Sequence, residues 1–133
     1  MNTTVVTVDK EHPDKKAMEE AGRILRSGGL VAFPTETVYG LGGDGLNPSS
    51  SQKIYQAKGR PSDNPLIIHI ADLESLEKIV KRIPEKARKM AEAFWPGPLT
   101  MIFEKSSAVP YETTGGLESV AVRMPSHPVA MAL

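Results

Sequence analysis

Apolar and polar positions along this chain follow two rhythms, one of about two residues and one of about 3.6, and the switches between them mark out short elements. Thr4–Val8 alternates and is β-branched, which predicts a strand. Pro13–Arg26 predicts a helix, with Ala17, Ala21, Ile24 and Leu25 on one face and Gly28-Gly29 as its stop. Leu30–Phe33 is wholly apolar and reads as a buried strand. Gly40–Gly45 holds four glycines in six residues and predicts a loop with unusual backbone angles. Pro48–Ser51 opens a helix running to about Lys58, and Pro65–Ile70 is a second buried strand. Asp72 caps a short helix containing Leu73, Leu76, Ile79 and Val80. Pro84 opens another over Glu85–Phe94, at the position where proline is tolerated, and Trp95–Pro98 (Trp-Pro-Gly-Pro) stops it. Leu99–Phe103 predicts a strand, Thr113–Gly116 a turn, Ser119–Met124 a strand, and His127 the start of a helix. Strands alternating with helices indicate an α/β or α+β protein built on a sheet flanked by helices.

Length and composition narrow the classes. The 133 residues suit one domain, and 40% hydrophobic with 24% charged residues is the balance of a soluble globular protein. Sixteen cationic and sixteen anionic side chains cancel, so a globally basic nucleic-acid binder is not indicated. The absence of cysteine excludes disulfides, thiolate catalysis and Cys-ligated metal sites. The N-terminal stretch lacks the pattern of a signal peptide, and no run approaches the ~18 apolar residues of a membrane span. A cytoplasmic protein with no membrane partner is expected. The last predicted helix begins at His127 and the sequence closes at Leu133; the expectation is one domain over 1–133, truncated at its C-terminal end.

Two blocks hold the candidate chemistry. In Phe33–Gly40, Thr35, Thr37 and Tyr39 supply hydroxyls and Glu36 a carboxylate that can accept from an ammonium. In Lys58–His69, two cations flank a glycine and are followed by Asn64 and by His69, within an apolar strand. Pro61 biases Arg60 towards an extended backbone, and alternate residues of an extended segment point the same way. Lys58 and Arg60 can then face one anion; the plainer reading is a solvated helix end. Alternation sets His69 on the face of Ile67, and a polar group at the end of an apolar strand is where α/β proteins place ligands. Arg123 lies on the face of Ser119 and Ala121 and needs a partner, either an internal carboxylate or that of a substrate. There is no Walker A loop, no GxGxxG, no metal-ligand pair at helical spacing and no Ser–His–Asp arrangement. Together the blocks read as a pocket for a small polar molecule beside a polyphosphate.

The collinear series PTETVYGLG, AKGRPSDNPLIIHI, FWPGPLT and GLESVAVRMPSHP resembles the YrdC-like family of threonylcarbamoyl-AMP synthases, from about Ala21 to the last residue. The resemblance implies a twisted mixed sheet flanked by helices, with a concave, positively lined substrate cavity. It implies a nucleotidyltransferase that makes threonylcarbamoyl-AMP and pyrophosphate from L-threonine, bicarbonate and ATP, for threonylcarbamoyladenosine in tRNA. Thr37, His69 and Arg123 would contact threonine. Arg60, Asn64 and Ser119 would contact ATP, and Lys58 would add positive potential at the phosphates, so that Lys58 and Arg60 act electrostatically without a covalent nucleophile. Mg²⁺ is expected with the triphosphate, bound largely through its oxygens rather than by a protein metal site. tRNA or a tRNA-modification transferase is the candidate partner. The family's Ser-x-Asn motif, expected downstream of His127, does not occur between His127 and Leu133. Two other readings are an RNA-binding module and a carbamoyl-adenylate transfer module of a larger maturation enzyme.

Overall fold

Capping chemistry sets most helix boundaries in the computed structural model, which describes residues 2–133. Helix α1 (Lys15–Arg26) starts where Asp14 accepts from the Ala17 N–H at 3.1 Å. Helix α2 (Pro48–Lys58) has Pro48 in its first turn, and Asn47 accepts from the Ser49 N–H at 3.0 Å. It ends at Gly59, whose φ of 64° is left-handed and lets the Gly59 and Arg60 N–H groups turn back onto the Gln56 and Tyr55 carbonyls. Helix α3 (Leu73–Ile79) is capped by Asp72, which accepts from the Ser75 N–H at 2.8 Å. Helix α4 (Glu85–Phe94) follows Pro84, and the short α5 (Tyr111–Thr114) and α6 (Pro128–Ala132) complete the helices.

The strands form two sheets among the described residues. β1 (Val31–Pro34) and β2 (Tyr39–Gly42) pair as an antiparallel hairpin. β3 (Ile67–His69), β5 (Ser119–Arg123) and β4 (Thr100–Glu104) lie in the order β3-β5-β4, β3 parallel to β5 and β4 antiparallel to it. The fold is mixed α+β, as the sequence predicts.

Strand alternation gives the three-stranded sheet two unlike faces. Val120, Val122, Phe103 and Ile70 turn inward and pack with Leu76, Ile79, Ala91, Trp95, Val109 and Met124 in one core. Each of the larger apolar chains contributes about 1.5–3 kcal/mol by burial, which fixes α3 and α4 behind the sheet. On the other face the register aligns Ile67, Ala121 and Ile102 in one row and His69, Arg123 and Thr100 in the next. Ile102 remains 73% exposed. The chemistry predicted for this sheet therefore lies on the face away from the core.

Three local expectations differ from the structure. Thr4–Val8 is not a strand: Val5 and Val6 are exposed and the segment pairs with nothing, so its alternation has no second strand to complete a ladder. Gly40–Gly45 is not a loop of unusual angles. Gly40 and Gly42 lie in β2, and none of its four glycines has a positive φ. Their smallness serves close approach: a Cβ on Gly42 would stand 2.7 Å from the Phe33 ring. Lys58 and Arg60 do not belong to one extended segment either, because Lys58 ends α2 and the left-handed Gly59 turns the chain between them.

Candidate functional site

The β1–β2 connection is built by one hydroxyl. Thr35 Oγ1 donates to the Val38 carbonyl at 2.6 Å and accepts from the Thr37 and Val38 N–H groups, both at 3.2 Å. This Ser/Thr-type turn leaves Glu36 and Thr37 at the tip. The tip reaches the end of β5, where Arg123 Nη1 donates to Thr37 Oγ1 at 3.4 Å. Arg123 Nη2 forms an ion pair with Glu36 Oε1. On the other side Arg123 Nε donates to the Gly97 carbonyl at 3.1 Å.

That last bond explains why Trp95–Pro98 is more than a helix stop. Trp95 Nε1 donates to the Leu99 carbonyl at 2.7 Å, and the Gly97 N–H donates to the Met124 carbonyl at 2.7 Å. A Cβ at Gly97 would lie 2.6 Å from the Phe94 carbonyl oxygen, so only glycine brings this backbone close enough to orient Arg123.

Arg123 is only 8% exposed. Its Nη2 meets Glu36 Oε1, so its charge is balanced within the protein. A carboxylate that accepts two parallel N–H groups is the anion that fits the planar guanidinium fork.

His69 stands beside Arg123 in the paired register. Its Nδ1 lies 3.2 Å from the Ile67 carbonyl, and its ring meets Phe33 edge-on with centroids 6.1 Å apart. A carbonyl only accepts, so Nδ1 carries the proton and the neutral ring presents Nε2 as an acceptor. Burial of the ring pushes its pKa below the ordinary 6.5, against the smaller upward pull of the Ile67 carbonyl. The residue still has an exposed edge, so the group is packed on one side and open on the other.

Thr37, His69 and Arg123 thus come together, from a hairpin tip and the ends of two parallel strands. Glu36 and Ser126 join them: Glu36 Oε2 accepts from both the N–H and the hydroxyl of Ser126. Sequence reasoning offered Glu36 as an acceptor for an ammonium and missed Ser126 and Gly97. The signal for Glu36 was present, since it is the one carboxylate of its block and adjoins Thr37.

The second group lies at the other end of β5. Ser119 is its first residue, four residues from Arg123, or about 13 Å along a strand. Asn64 lies in the loop just before β3, whose pairing with β5 begins at Ile67 and Ala121. The Asn64 carbonyl accepts from Tyr55 Oη at 2.7 Å, and its N–H donates to the Pro61 carbonyl at 3.2 Å, which fixes this loop. Lys58, Arg60 and Asn64 are exposed. Neither Lys58 nor Arg60 forms an ion pair among the described residues.

Two clefts lie beside α2 and the loop that follows it, and one of them is lined by Arg60. One of about 530 Å³ is lined by Gln52, Tyr55, Gln56, Gly59, Arg60 and Ser62. Another of about 330 Å³ includes Tyr55, Ser62, Asp63, Tyr111 and Gly115. Neither is lined by Thr37, His69 or Arg123, which sit at the junction of the two sheets. Chemically, the junction suits a small carboxylate with a hydroxyl, and the far end suits an anion met by free cations.

Comparison with known proteins bears on this geometry. A model of the Sua5/YciO/YrdC family, described as "Telomere recombination", matches residues 23–133. A threonylcarbamoyl-AMP synthase of Pyrococcus abyssi is 52% identical over 130 residues, covering 98% of this chain and 38% of that protein. The enzyme of the same name from Bacillus subtilis is 50% identical over 130 residues, covering 97% of this chain and 38% of that protein. The crystal structure of P. abyssi Sua5 complexed with L-threonine superposes with a TM-score of 0.93 at 51% identity, covering 97% of this chain and 38% of that one. The chain thus spans less than half the length of these curated relatives.

Proposed function

The chain belongs to the Sua5/YciO/YrdC family, and from that premise we propose that it carries the substrate-binding surface of a threonylcarbamoyl-AMP synthase. The observation that carries the reading is Arg123: buried, oriented by the Gly97 carbonyl and Glu36, and flanked by the Thr37 hydroxyl and the His69 ring. Its guanidinium receives the carboxylate of L-threonine. Nε2 of His69 and the Thr37 hydroxyl meet the amino acid's polar groups. A relative with 51% identity has been crystallised with L-threonine, which supports this choice of substrate.

ATP lies towards the other end of β5. Arg60 and Lys58 offset the phosphate charge, while Asn64 and Ser119 supply an amide and a hydroxyl for hydrogen bonds. Threonine and bicarbonate give an N-carboxylate with loss of water. One of its oxygens attacks the α-phosphorus of ATP, the bond to the bridging oxygen breaks, and pyrophosphate leaves with the electron pair. No protein nucleophile takes part. The chain's own contribution is to hold two anionic reactants in line and to stabilise charge that grows on phosphate oxygens.

No group of three or more acidic or histidine side chains that could cage a cation occurs among the described residues. Mg²⁺ would enter this reading as a companion of ATP, bound largely through the phosphate oxygens. tRNA, or a transferase acting on it, is the receiver of the product, and the cytoplasm is the compartment where these reactants meet. No helix among the described residues is long and apolar enough to cross a membrane.

The test is pyrophosphate release from ATP, Mg²⁺ and bicarbonate, with and without L-threonine. It is run on this chain and on a version extended past Leu133 to the length of the relatives. Threonine-dependent release by either version is expected. Silence from both, when folded, overturns the proposal.

A further inference from the structure

The pairing of Glu36 with Arg123 has a consequence for what the site accepts. We infer that Glu36 is a specificity-determining counter-charge: it makes the Arg123 site select an α-amino acid, with both its ammonium and its carboxylate, over a simple carboxylate. This rests on the reading of Arg123 as the carboxylate-binding group.

The two oxygens of Glu36 are divided between partners. Oε2 is held by the N–H and the hydroxyl of Ser126, just beyond β5. Oε1 faces Arg123 Nη2. When a substrate carboxylate takes Nη2, the Ser126 contacts still hold Glu36 in place, and Oε1 loses its cation while pointing into the space the substrate has entered.

Charge decides what can fill that space. Arg123 and Glu36 together are neutral, and Glu36 is the only carboxylate in ion-pair contact with Arg123 among the described residues. A zwitterion keeps the cluster neutral, its carboxylate on Arg123 and its ammonium on Oε1. A plain carboxylate leaves two anions facing one buried cation, and a plain amine must compete with Arg123 for Oε1. Repulsion of the wrong ligand and attraction of the right one then come from one residue. The same exchange explains why Arg123 is tolerated at 8% exposure before any substrate binds: its charge already has a partner.

Calorimetry with three ligands tests the inference. L-threonine carries both groups, 3-hydroxybutyrate lacks the amine, and threonine methyl ester lacks the free carboxylate. The wild-type chain is expected to bind threonine at least about tenfold more tightly than either half-ligand. Glu36→Gln should bring the threonine to 3-hydroxybutyrate ratio close to one, by weakening the first and sparing or strengthening the second. A wild-type chain that binds 3-hydroxybutyrate as tightly as threonine overturns the inference, whether or not the variant folds. So does a folded Glu36→Gln variant that weakens both ligands equally, which would make Glu36 merely structural; the threonine reading then survives. If the wild type instead prefers L-alanine to propionate in a Glu36-dependent manner but does not bind threonine, the counter-charge stands and the threonine reading falls.

Discussion

At the scale of single residues, the site depends on what surrounds Arg123 and His69. Arg123→Ala removes the carboxylate partner and leaves Glu36 and the Gly97 carbonyl facing a void. Threonine affinity should fall by about 2–4 kcal/mol, in the range for truncating one member of a buried charged pair. ATP affinity should change little, because Ser119, Arg60 and Asn64 lie at the other end of the sheet. Separate titrations of the two ligands decide this; an equal loss of both would mark Arg123 as a structural residue. His69 yields a pH prediction of definite sign. Its folded pKa lies below the ordinary 6.5, because burial disfavours the imidazolium. The unfolded chain therefore takes up the proton first, and stability falls as pH drops below about 6.5, levelling off below the folded pKa. Above that range His69 contributes no slope. Asp9, Glu20 and Asp72 have lowered carboxyl pKa values, so their losses begin only below about pH 4.5 and do not overlap this window. As pH is lowered from 7.5 to 5, urea midpoints should fall in the wild type and stay flatter in His69→Gln. Parallel curves would refute the assignment.

Between elements, the loop that carries Arg60 and Asn64 is positioned by glycines of two kinds. Gly59 and Gly115 both adopt left-handed angles, φ 64° and φ 63°. Around Gly59 an added Cβ meets nothing within 4 Å, whereas at Gly115 it would lie 2.7 Å from the Asp63 carbonyl oxygen and 3.2 Å from the Pro65 nitrogen. Gly59→Ala should thus cost only the left-handed penalty, about 1–2 kcal/mol. Gly115→Ala adds a collision with backbone that cannot rotate away, for a total of about 2–4 kcal/mol. It should also weaken ATP before threonine, since the displaced backbone adjoins Asn64. Denaturant titrations of the two variants compare them directly, and equal losses would mean that the loop moves freely. This contrast also shows what was legible in the sequence. Strand periodicity placed His69 with Ile67 and Arg123 with Ser119 and Ala121, and the register bears that out. Five of the six helices were legible from their caps and stops, whereas α5, only four residues long, lies where the sequence predicts just the turn Thr113–Gly116. Glycine density in Gly40–Gly45 did not reveal its purpose, because a left-handed angle and a close approach leave the same mark in a sequence. Thr4–Val8 misled because alternation becomes a strand only when a neighbour supplies the other half of the ladder. That Arg123 needs a carboxylate was legible, but not that Glu36 supplies it, because the pair joins a hairpin tip to a distant strand.

For the molecule as a whole, the question is what holds the two sheets and their shared site in register. The Glu36–Arg123–Ser126 contacts tie them at one end. A second tie is centred on Thr113 of α5, which is 1% exposed. Thr113 Oγ1 donates to the Gly45 carbonyl at 2.7 Å and shares a 2.7 Å bond with Ser51 Oγ of α2. Its own carbonyl accepts the Leu66 N–H at 3.0 Å, just before β3. One residue thus joins the segment after β2, the helix that leads to Arg60, and the strand that bears His69. Thr113→Val keeps the shape, the buried methyl and the backbone bond to Leu66, but deletes the hydroxyl. Ser51, also 1% exposed, then loses its partner, and Gly45 keeps an acceptor only half open to solvent. Leaving buried polar groups unpaired costs about 1–3 kcal/mol each, so a loss of about 2–4 kcal/mol is expected. Ser51→Ala should cost only about 1 kcal/mol, because Thr113 retains the Gly45 carbonyl. Adding Ser51→Ala to Thr113→Val should cost less than the sum of the two, since Ser51 is already unpartnered. If the tie spans the whole molecule, the urea midpoint falls while the transition keeps its slope and remains single. A split transition would instead show that the hairpin and the three-stranded sheet unfold separately, and that the substrate site joins two independent bodies.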